Sequence, residues 1–318
     1  MDVARSIAQS DDDLVLPFRT VRSDVVGRVI RLGPVVDTVL SRHAYPEPVS
    51  HALGEALTLT AMLGSALKSE AQAKLILQTK TDGPLDFLVA DFVAPGKLRG
   101  YASFDKADTD LAEMKGRGDQ GALIGKGHMA MTIDRGSDKD RYQGIVPLEH
   151  ETLVEAAHTY FRQSEQLPTF IRLAVARHYG PAISEGARTW HWRAGGLMIQ
   201  QLPREGGRAR DVQASESDDE ENWNRARHLA ATVEDHELLD PMLAPQRLLY
   251  RLFHEEGVVV TPAAALAAEC RCSRERIHAY LQQFGPAELA DMREADGGVT
   301  VTCEFCSRKY RFAEGDIT

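Results

Sequence analysis

All four cysteines of the chain stand in its last fifty residues, as Cys270, Cys272, Cys303 and Cys306, spaced C-x-C-x30-C-x-x-C. In a reducing compartment two close thiol pairs form the ligand set of a tetrahedral zinc site. Four thiolates complete the ion's coordination and leave no open position, so one structural zinc per chain is expected. His278 is near enough in sequence to compete, but the four sulfurs leave it no vacancy. Neighbouring Arg271, Arg274, Arg308 and Lys309 favour thiolate over thiol. The pair Cys303 and Cys306 is spaced for a local disulfide, and Cys270 and Cys272 for one under more strain. The ligands therefore permit a switch, folded around metal when reduced and unfolded when oxidised.

The local sequence positions these sulfurs. Cys303-Glu304-Phe305-Cys306 falls between Val299-Thr300-Val301 and Tyr310-Arg311-Phe312, which places the pair on the turn of a short hairpin. Ser273 is placed to cap a helix running to Phe284, with Ile277, Tyr280, Leu281 and Phe284 on one face and Gly285-Pro286 ending it. Residues 263–318 number only 56, too few to rely on their own core. A structural zinc site supplies an apparent binding energy on the order of 10–16 kcal/mol, as large as the whole stability of an ordinary domain.

The remainder reads as an α+β protein: an N-terminal mixed domain with a mainly antiparallel sheet and packed helices, a helical middle linker and the small zinc-binding domain. Charge supports three regions. Residues 1–203 carry 23 basic and 25 acidic side chains, residues 204–262 carry 7 and 13, and residues 263–318 carry 7 and 9. In the first region, Val25–Leu32 has the pattern of an edge or hairpin strand. A long helix follows Pro46 and Pro48, with Val49, Leu53, Ala56, Leu57, Leu63 and Leu67 at helical spacing. Strands are expected at 74–79, 87–92 and 98–103, separated by Asp82-Gly83-Pro84 and Pro95-Gly96, and again at 127–133 and 142–147. A helix at 151–163 precedes strands at 170–176 and 197–202, the last after Gly195-Gly196. Short turns between successive strands imply an antiparallel sheet with helices against it. No fixed-period repeat is visible.

The middle region opens with Arg204-Glu205-Gly206-Gly207-Arg208 and an acidic run at 218–221, a solvated linker or loop by composition. Helices are expected at 223–239 and 246–254. In the second, Leu248, Leu249, Leu252 and Phe253 make one apolar stripe, a candidate surface for docking the linker or for a client. Such helices are marginal alone and need something to lie on.

The net charge of −10 argues against general binding to nucleic acid or to an anionic membrane. No apolar run reaches the roughly 20 residues of a membrane helix, and Asp11, Asp12 and Asp13 stand where a signal peptide would be apolar. A soluble, cytoplasmic protein is expected. Gly125-Lys126-Gly127 lacks the spacing and the following Ser or Thr of a phosphate loop and reads as a turn. His191 and His254 are isolated, and Ser164 has no nearby base, so no catalytic constellation emerges.

The tail Cys270-Arg271-Cys272-Ser273-Arg274-Glu275-Arg276, with Cys303-Glu304-Phe305-Cys306 and Tyr310-Arg311-Phe312, resembles the 33 kDa chaperonin family of redox-regulated heat-shock chaperones. The resemblance continues through Asp82-Gly83-Pro84-Leu85, Arg99-Gly100-Tyr101, Tyr142-Gln143-Gly144-Ile145-Val146, the run from Tyr160 to Gln166, and Gly195-Gly196. It covers nearly the whole chain from about residue 20. Residues 204–222 depart from the pattern in being longer and more acidic. The resemblance implies a non-enzymatic, ATP-independent holdase that binds unfolding proteins under oxidative stress. It also implies zinc on the four cysteines when reduced, disulfides Cys270–Cys272 and Cys303–Cys306 when oxidised, unfolding of tail and linker, and a homodimer in the oxidised form. Two other classes compete on the residues alone. A zinc-ribbon nucleic-acid binder would use Arg271, Arg274, Arg276, Arg308 and Lys309, and a thiol oxidoreductase would use Cys303 and Cys306.

Overall fold

The structure, a computed structural model, describes residues 12–67, 73–105, 120–136, 141–181, 188–201 and 216–317. It begins with an antiparallel hairpin, β1 (Leu14–Thr20) and β2 (Val25–Leu32), whose turn is held by the Thr20 hydroxyl accepting from the Val25 amide. A short helix α1 (Pro34–Leu40) leads to α2 (Glu47–Gly64). Strands β3 (Lys74–Thr81), β4 (Phe87–Val93) and β5 (Lys97–Ser103) follow. Next come α3 (Gln120–Ile124), β6 (Lys126–Asp134), β7 (Tyr142–Glu149) and α4 (Leu153–Tyr160). A long hairpin of β8 (Thr169–Pro181) and β9 (Arg188–Gln201) completes this part.

Three helices then cross the outside of the molecule: α5 (Glu216–Ala231), α6 (Asp235–Leu239) and α7 (Pro245–Phe253). Short strands β10 (Val258–Val260), β11 (Ala264–Ala265) and β12 (Ala267–Ala268) lead to the C-terminal part. There α8 (Arg274–Leu281) and α9 (Pro286–Met292) precede the hairpin β13 (Val299–Thr302) and β14 (Lys309–Phe312).

The α+β class is as the sequence implies, but the N-terminal strands form two sheets where the sequence suggested one. The first runs β10-β1-β2-β9-β8, with β11 also on β1; the second runs β12-β5-β4-β3-β6-β7. All pairings are antiparallel except β12 on β5. Strand β2 is a hairpin strand but not an edge, because β9 pairs on its other side from Leu32 to Val25.

Helix α2 lies between the two sheets, which explains why it is buried almost all round. Its Gly54 sits under Val175 of the first sheet, and its Gly64 lies against Phe92 of the second. Several of the polar groups this buries are satisfied in place, though the buried Thr60 hydroxyl has no partner among the described residues. The Thr58 hydroxyl donates to the Gly54 carbonyl (2.8 Å), and Gln120 donates to Glu55 (2.9 Å) while accepting from the Leu153 amide (3.1 Å). Four layers result: second sheet, α2, first sheet, then α5 to α7.

Gly195 and Gly196, adjacent on β9, serve opposite faces of the first sheet. A Cβ at Gly195 would stand 2.3 Å from the Leu238 carbonyl oxygen of α6, and one at Gly196 would meet Leu173, Met62 and Thr58. Each glycine thus admits a close neighbour on its own side.

Several helix boundaries differ from expectation for identifiable reasons. The expected helix at 223–239 is two, because Val233 turns inward between them and the Glu234 amide donates to the Glu237 carboxylate (3.0 Å) to begin α6. The acidic run 218–221 is helical, the first turns of α5, where carboxylates favour a helix start. Residues 202–215, including the expected linker start, lie outside the described residues. Helix α4 begins at a Thr152–Glu155 capping box, and Phe161–Glu165 closes it as one wider turn ending at left-handed Gln166. Helix α8 stops at Leu281, short of the expected Phe284, and Gly285-Pro286 instead begins α9, since the fixed φ and missing N–H of Pro286 suit a first helical position.

Replacing Gly195 with Ala is expected to weaken the seating of α6 by about 1–3 kcal/mol, the usual cost of overpacking. Hydrogen exchange should show α6 and α7 losing protection while α2 keeps it. Unchanged protection in α6 would show that the close approach is not limiting.

Candidate metal centre and the seat of the linker helices

Cys270 and Cys272 follow β12 directly, so the edge of the second sheet aims them. The Glu269 amide donates to the Leu98 carbonyl (3.0 Å), and Ala267 to Gly96 (2.9 Å). Cys303 and Cys306 occupy the turn between β13 and β14, as the sequence implied. That turn is closed by Cys303 N–H to the Arg308 carbonyl (2.9 Å) and Ser307 N–H to the Cys303 carbonyl (2.8 Å), with Ser307 left-handed at φ 56°.

The four Sγ atoms lie within 4.8 Å of one another. Cys270 and Cys303 are 3.6 Å apart, and Cys272 and Cys306 are 3.4 Å apart. A tetrahedral ion with Zn–S bonds of about 2.3 Å has sulfur–sulfur edges of about 3.8 Å, whereas a disulfide needs about 2.05 Å. All four side chains are half-buried free thiols. Donor type, number and spacing therefore fit a metal ion that prefers soft ligands. His278 is outside the cluster: its Nε2 lies 2.6 Å from the Asp316 carbonyl oxygen and its ring stacks on Phe312.

The sulfurs are not equivalent. Burial alone would raise the Cys272 thiol, but the Tyr310 hydroxyl, 3.2 Å away and donating, and the neighbouring cysteines bring it down to about 7. Burial pushes Cys306 up to about 12 and also raises Cys303. Of these three thiols Cys272 thus gives up its proton most readily, and a bound dication would favour the anionic form of all four.

The core beneath these turns is small. Leu281, Val299, Phe312 and Ile317 are buried, with Ile277, Leu289, Val301 and Tyr310 packed partly against them. Of the stripe expected on α8, Tyr280 is 60% exposed, so only Leu281 enters this core fully. The basic residues near the sulfurs are largely engaged. Arg271 pairs with Asp91 (2.5 Å), Arg274 with Asp316 (2.8 Å), and Arg276 donates to the Arg271 carbonyl (2.8 Å).

Leu248, Leu249, Leu252 and Phe253 are all buried, on the face of the first sheet opposite α2. They pack in one cluster with Leu16, Phe18, Val25, Val29, Leu197 and Ile199, and the rings of Phe18 and Phe253 are 5.5 Å apart. Polar contacts fix this seat. Arg31, wholly buried, donates to the carbonyls of Glu237, Asp240 and Leu243, and Arg193 donates to that of Leu239 (2.7 Å). Both guanidiniums thereby meet the carbonyl-rich C-terminal end of α6. Arg225 of α5 pairs with buried Glu256 (2.8 Å).

Arg31, Asp91 and Tyr310 were not singled out from sequence for these contacts. The available signal for the first two is a lone charge inside an apolar strand, which must be paired if that strand is buried. Among the described residues no helix is long and apolar enough to cross a membrane.

Residues 13–313 match the family described as Hsp33 protein. A protein of Caulobacter vibrioides (strain NA1000 / CB15N) named 33 kDa chaperonin is 44% identical over 302 residues, covering 94% of each chain. One of the same name from Ectopseudomonas mendocina is 36% identical over 300 residues, covering 93% of this chain and 90% of its own. The crystal structure of a 33 kDa chaperonin (heat shock protein 33 homolog) from Thermotoga maritima aligns with a TM-score of 0.75 at 25% identity over 96% of each chain.

The seat carries a pH dependence. Burial would raise the Glu256 carboxyl, but bonds from Arg225 and Ser23 and the charges of Arg225 and Arg22 outweigh it, leaving it below the ordinary 4.5. A depressed acid stabilises the fold above its unfolded value and loses that contribution as pH falls through its folded one. The difference in urea midpoint between the parent protein and Glu256→Gln should therefore shrink as pH drops below 4.5. A difference constant with pH would mean that the ion pair contributes nothing to the seat.

Proposed function

The chain belongs to the Hsp33 protein family, and from that premise we propose that it is a redox-regulated, ATP-independent holdase chaperone acting on unfolding proteins in the cytoplasm. It works as three units: residues 1–203 as the substrate-binding and dimerising domain, 204–262 as a metastable linker, and 263–318 as the redox switch. It carries out no catalytic turnover. The observation that carries this reading is the set of four sulfurs within 4.8 Å joining two segments over a core too small to hold them.

Cys270, Cys272, Cys303 and Cys306 hold one zinc ion in the reduced form. When bound, zinc keeps the four thiolates together and deprotonated. Under peroxide, Cys270 with Cys272 and Cys303 with Cys306 each give up two electrons. Each pair of thiolates takes up one peroxide and two protons, forms one S–S bond and releases two waters. Sulfurs so paired would no longer serve as thiolate ligands to a metal ion.

The path from there to the linker runs along strand edges. Strand β12 lies on β5, β11 and β10 lie on β1, and β10 follows α7 after a single turn. Loss of the C-terminal fold frees β12 first and then the strands behind it. The helices α5 to α7 lift from the first sheet, and Leu248, Leu249, Leu252 and Phe253 come apart from Phe18, Val29 and Leu197. Burying one such side chain is worth about 1.5–3 kcal/mol, so the two exposed faces bind apolar segments of a client strongly. The acidic charge of the linker keeps the opened form dispersed, and two opened chains pair as a homodimer.

One experiment tests the sequence of events. Zinc release, free thiols, binding of an apolar dye and suppression of client aggregation are followed on one sample after peroxide. About one zinc per chain should leave, as four-ligand geometry requires, and thiol loss should precede dye binding and holding. Oxidised, metal-free protein that stays compact and inert toward clients would sink the reading.

The seat makes a separate prediction. Phe253→Ala removes about 3–5 kcal/mol of core packing without touching a cysteine. The reduced, zinc-loaded variant is expected to bind dye and hold clients without peroxide. If it remains as inactive as the parent, undocking of α7 is not the step that creates the holding surface.

A further inference from the structure

Both cysteine-bearing turns carry, between their ligands, a side chain that enters the same place on the second sheet. Arg271, between Cys270 and Cys272, reaches Asp91 of β4 at 2.5 Å. Phe305, between Cys303 and Cys306, lies beneath the guanidinium of Arg99 of β5, 3.9 Å from its centroid, with the Tyr101 ring 6.3 Å away. Arg99 is itself paired with Asp91 at 2.8 Å, through the same carboxylate oxygen that Arg271 contacts. The Asp91 side chain is 4% exposed. A carboxylate buried so deeply is costly unless paired, and here two arginines share it. Lesser ties surround this point: Ser307 donates to the Arg42 carbonyl (3.1 Å), and Lys97 pairs with Glu269 (2.6 Å).

We propose that Asp91 is a positioning residue for the thiolate cluster. It holds Arg271 directly and Phe305 through Arg99, and so fixes both cysteine turns against one sheet at the separation that lets four sulfurs share an ion. Release of Arg271 lets the first turn open more often, and the sulfurs then become accessible to oxidant through that local opening. Asp91 in this way sets how much oxidant the switch requires. The inference rests on the thiolate module being the switch.

The test compares the parent protein, Asp91→Asn, Arg271→Ala and the double variant, all full-length and zinc-loaded, at one fixed peroxide concentration. Each single variant should release zinc about tenfold faster, the order expected of a contacting charged pair, and the double variant no faster than the faster single. Arg271→Lys, which retains the charge, should recover part of the parent rate. Zinc release at the parent rate in both single variants, or effects that multiply in the double, would overturn the proposal. If Asp91→Asn does not fold, Arg271→Ala decides alone, because it leaves the Asp91–Arg99 pair in place. The zinc-release rates answer this question whether or not the oxidised protein holds clients, so a failed holdase assay and a failed Asp91 assay are told apart.

Discussion

The C-terminal module rests on the approach of two segments whose four sulfurs converge to within 4.8 Å of one another. The closest sulfur pairs, Cys270 with Cys303 and Cys272 with Cys306, run between the segments rather than within them. A shared ion would therefore join points 33 and 34 residues apart, closing a long loop. The proposed disulfides join neighbours two and three positions apart and close almost none. By the chain-entropy argument, a link constrains the unfolded chain more as its loop lengthens. In the proposed cycle oxidation thus exchanges a staple between segments for two local ones, and the four buried side chains of this module must then hold it without that staple.

The linker seat is built to be conditional in a different way. Its apolar half, Leu248, Leu249, Leu252 and Phe253 against the first sheet, favours docking in proportion to area. Its polar half consists of arginines donating to backbone carbonyls and of Arg225 on Glu256. Buried charges fix geometry well, but desolvation offsets much of their attraction. In the proposed cycle Arg31 regains water when α6 leaves, which returns part of what is lost. The seat is specific in register because of Arg31 and Gly195, and in the proposed cycle these contacts add little to the cost of vacating it.

How much of this was legible in the sequence follows from the range of each interaction. The cysteine hairpin, the Ser273 cap, the apolar stripe of α7 and most strands of the second sheet were readable, because each is set by spacing and turn chemistry within a dozen residues. Strand β1 was missed because Pro17 interrupts an apolar run that only pairing with β2, β10 and β11 makes into a strand. Two sheets were read as one because the helix between them looks in sequence like any helix with an apolar stripe. The roles of Gly195 and Asp91 depend on partners 43 and 180 positions away, Leu238 and Arg271. Nothing local specifies such partners.

Residues 258–268 connect these parts and explain why a change at the sulfurs need not stay there. Their three short strands cover an edge of each sheet: Val258–Val260 and Ala264–Ala265 lie on β1, and Ala267–Ala268 lie on β5. Their side chains are small or β-branched and bury little, so pairing depends on backbone bonds such as Leu266 N–H to the Asp13 carbonyl (2.7 Å) and Thr261 N–H to that of Pro17 (3.0 Å). Strands of two or three residues hold such an edge only while both ends are anchored, here by the α7 seat at one end and Arg271 with the cysteine turns at the other. Releasing either anchor bares strand edges, and unpaired edges are what an unfolding chain in extended conformation can add to. In the proposed cycle the holding surface therefore has two parts, an apolar face beneath the linker helices and an open backbone edge beside it.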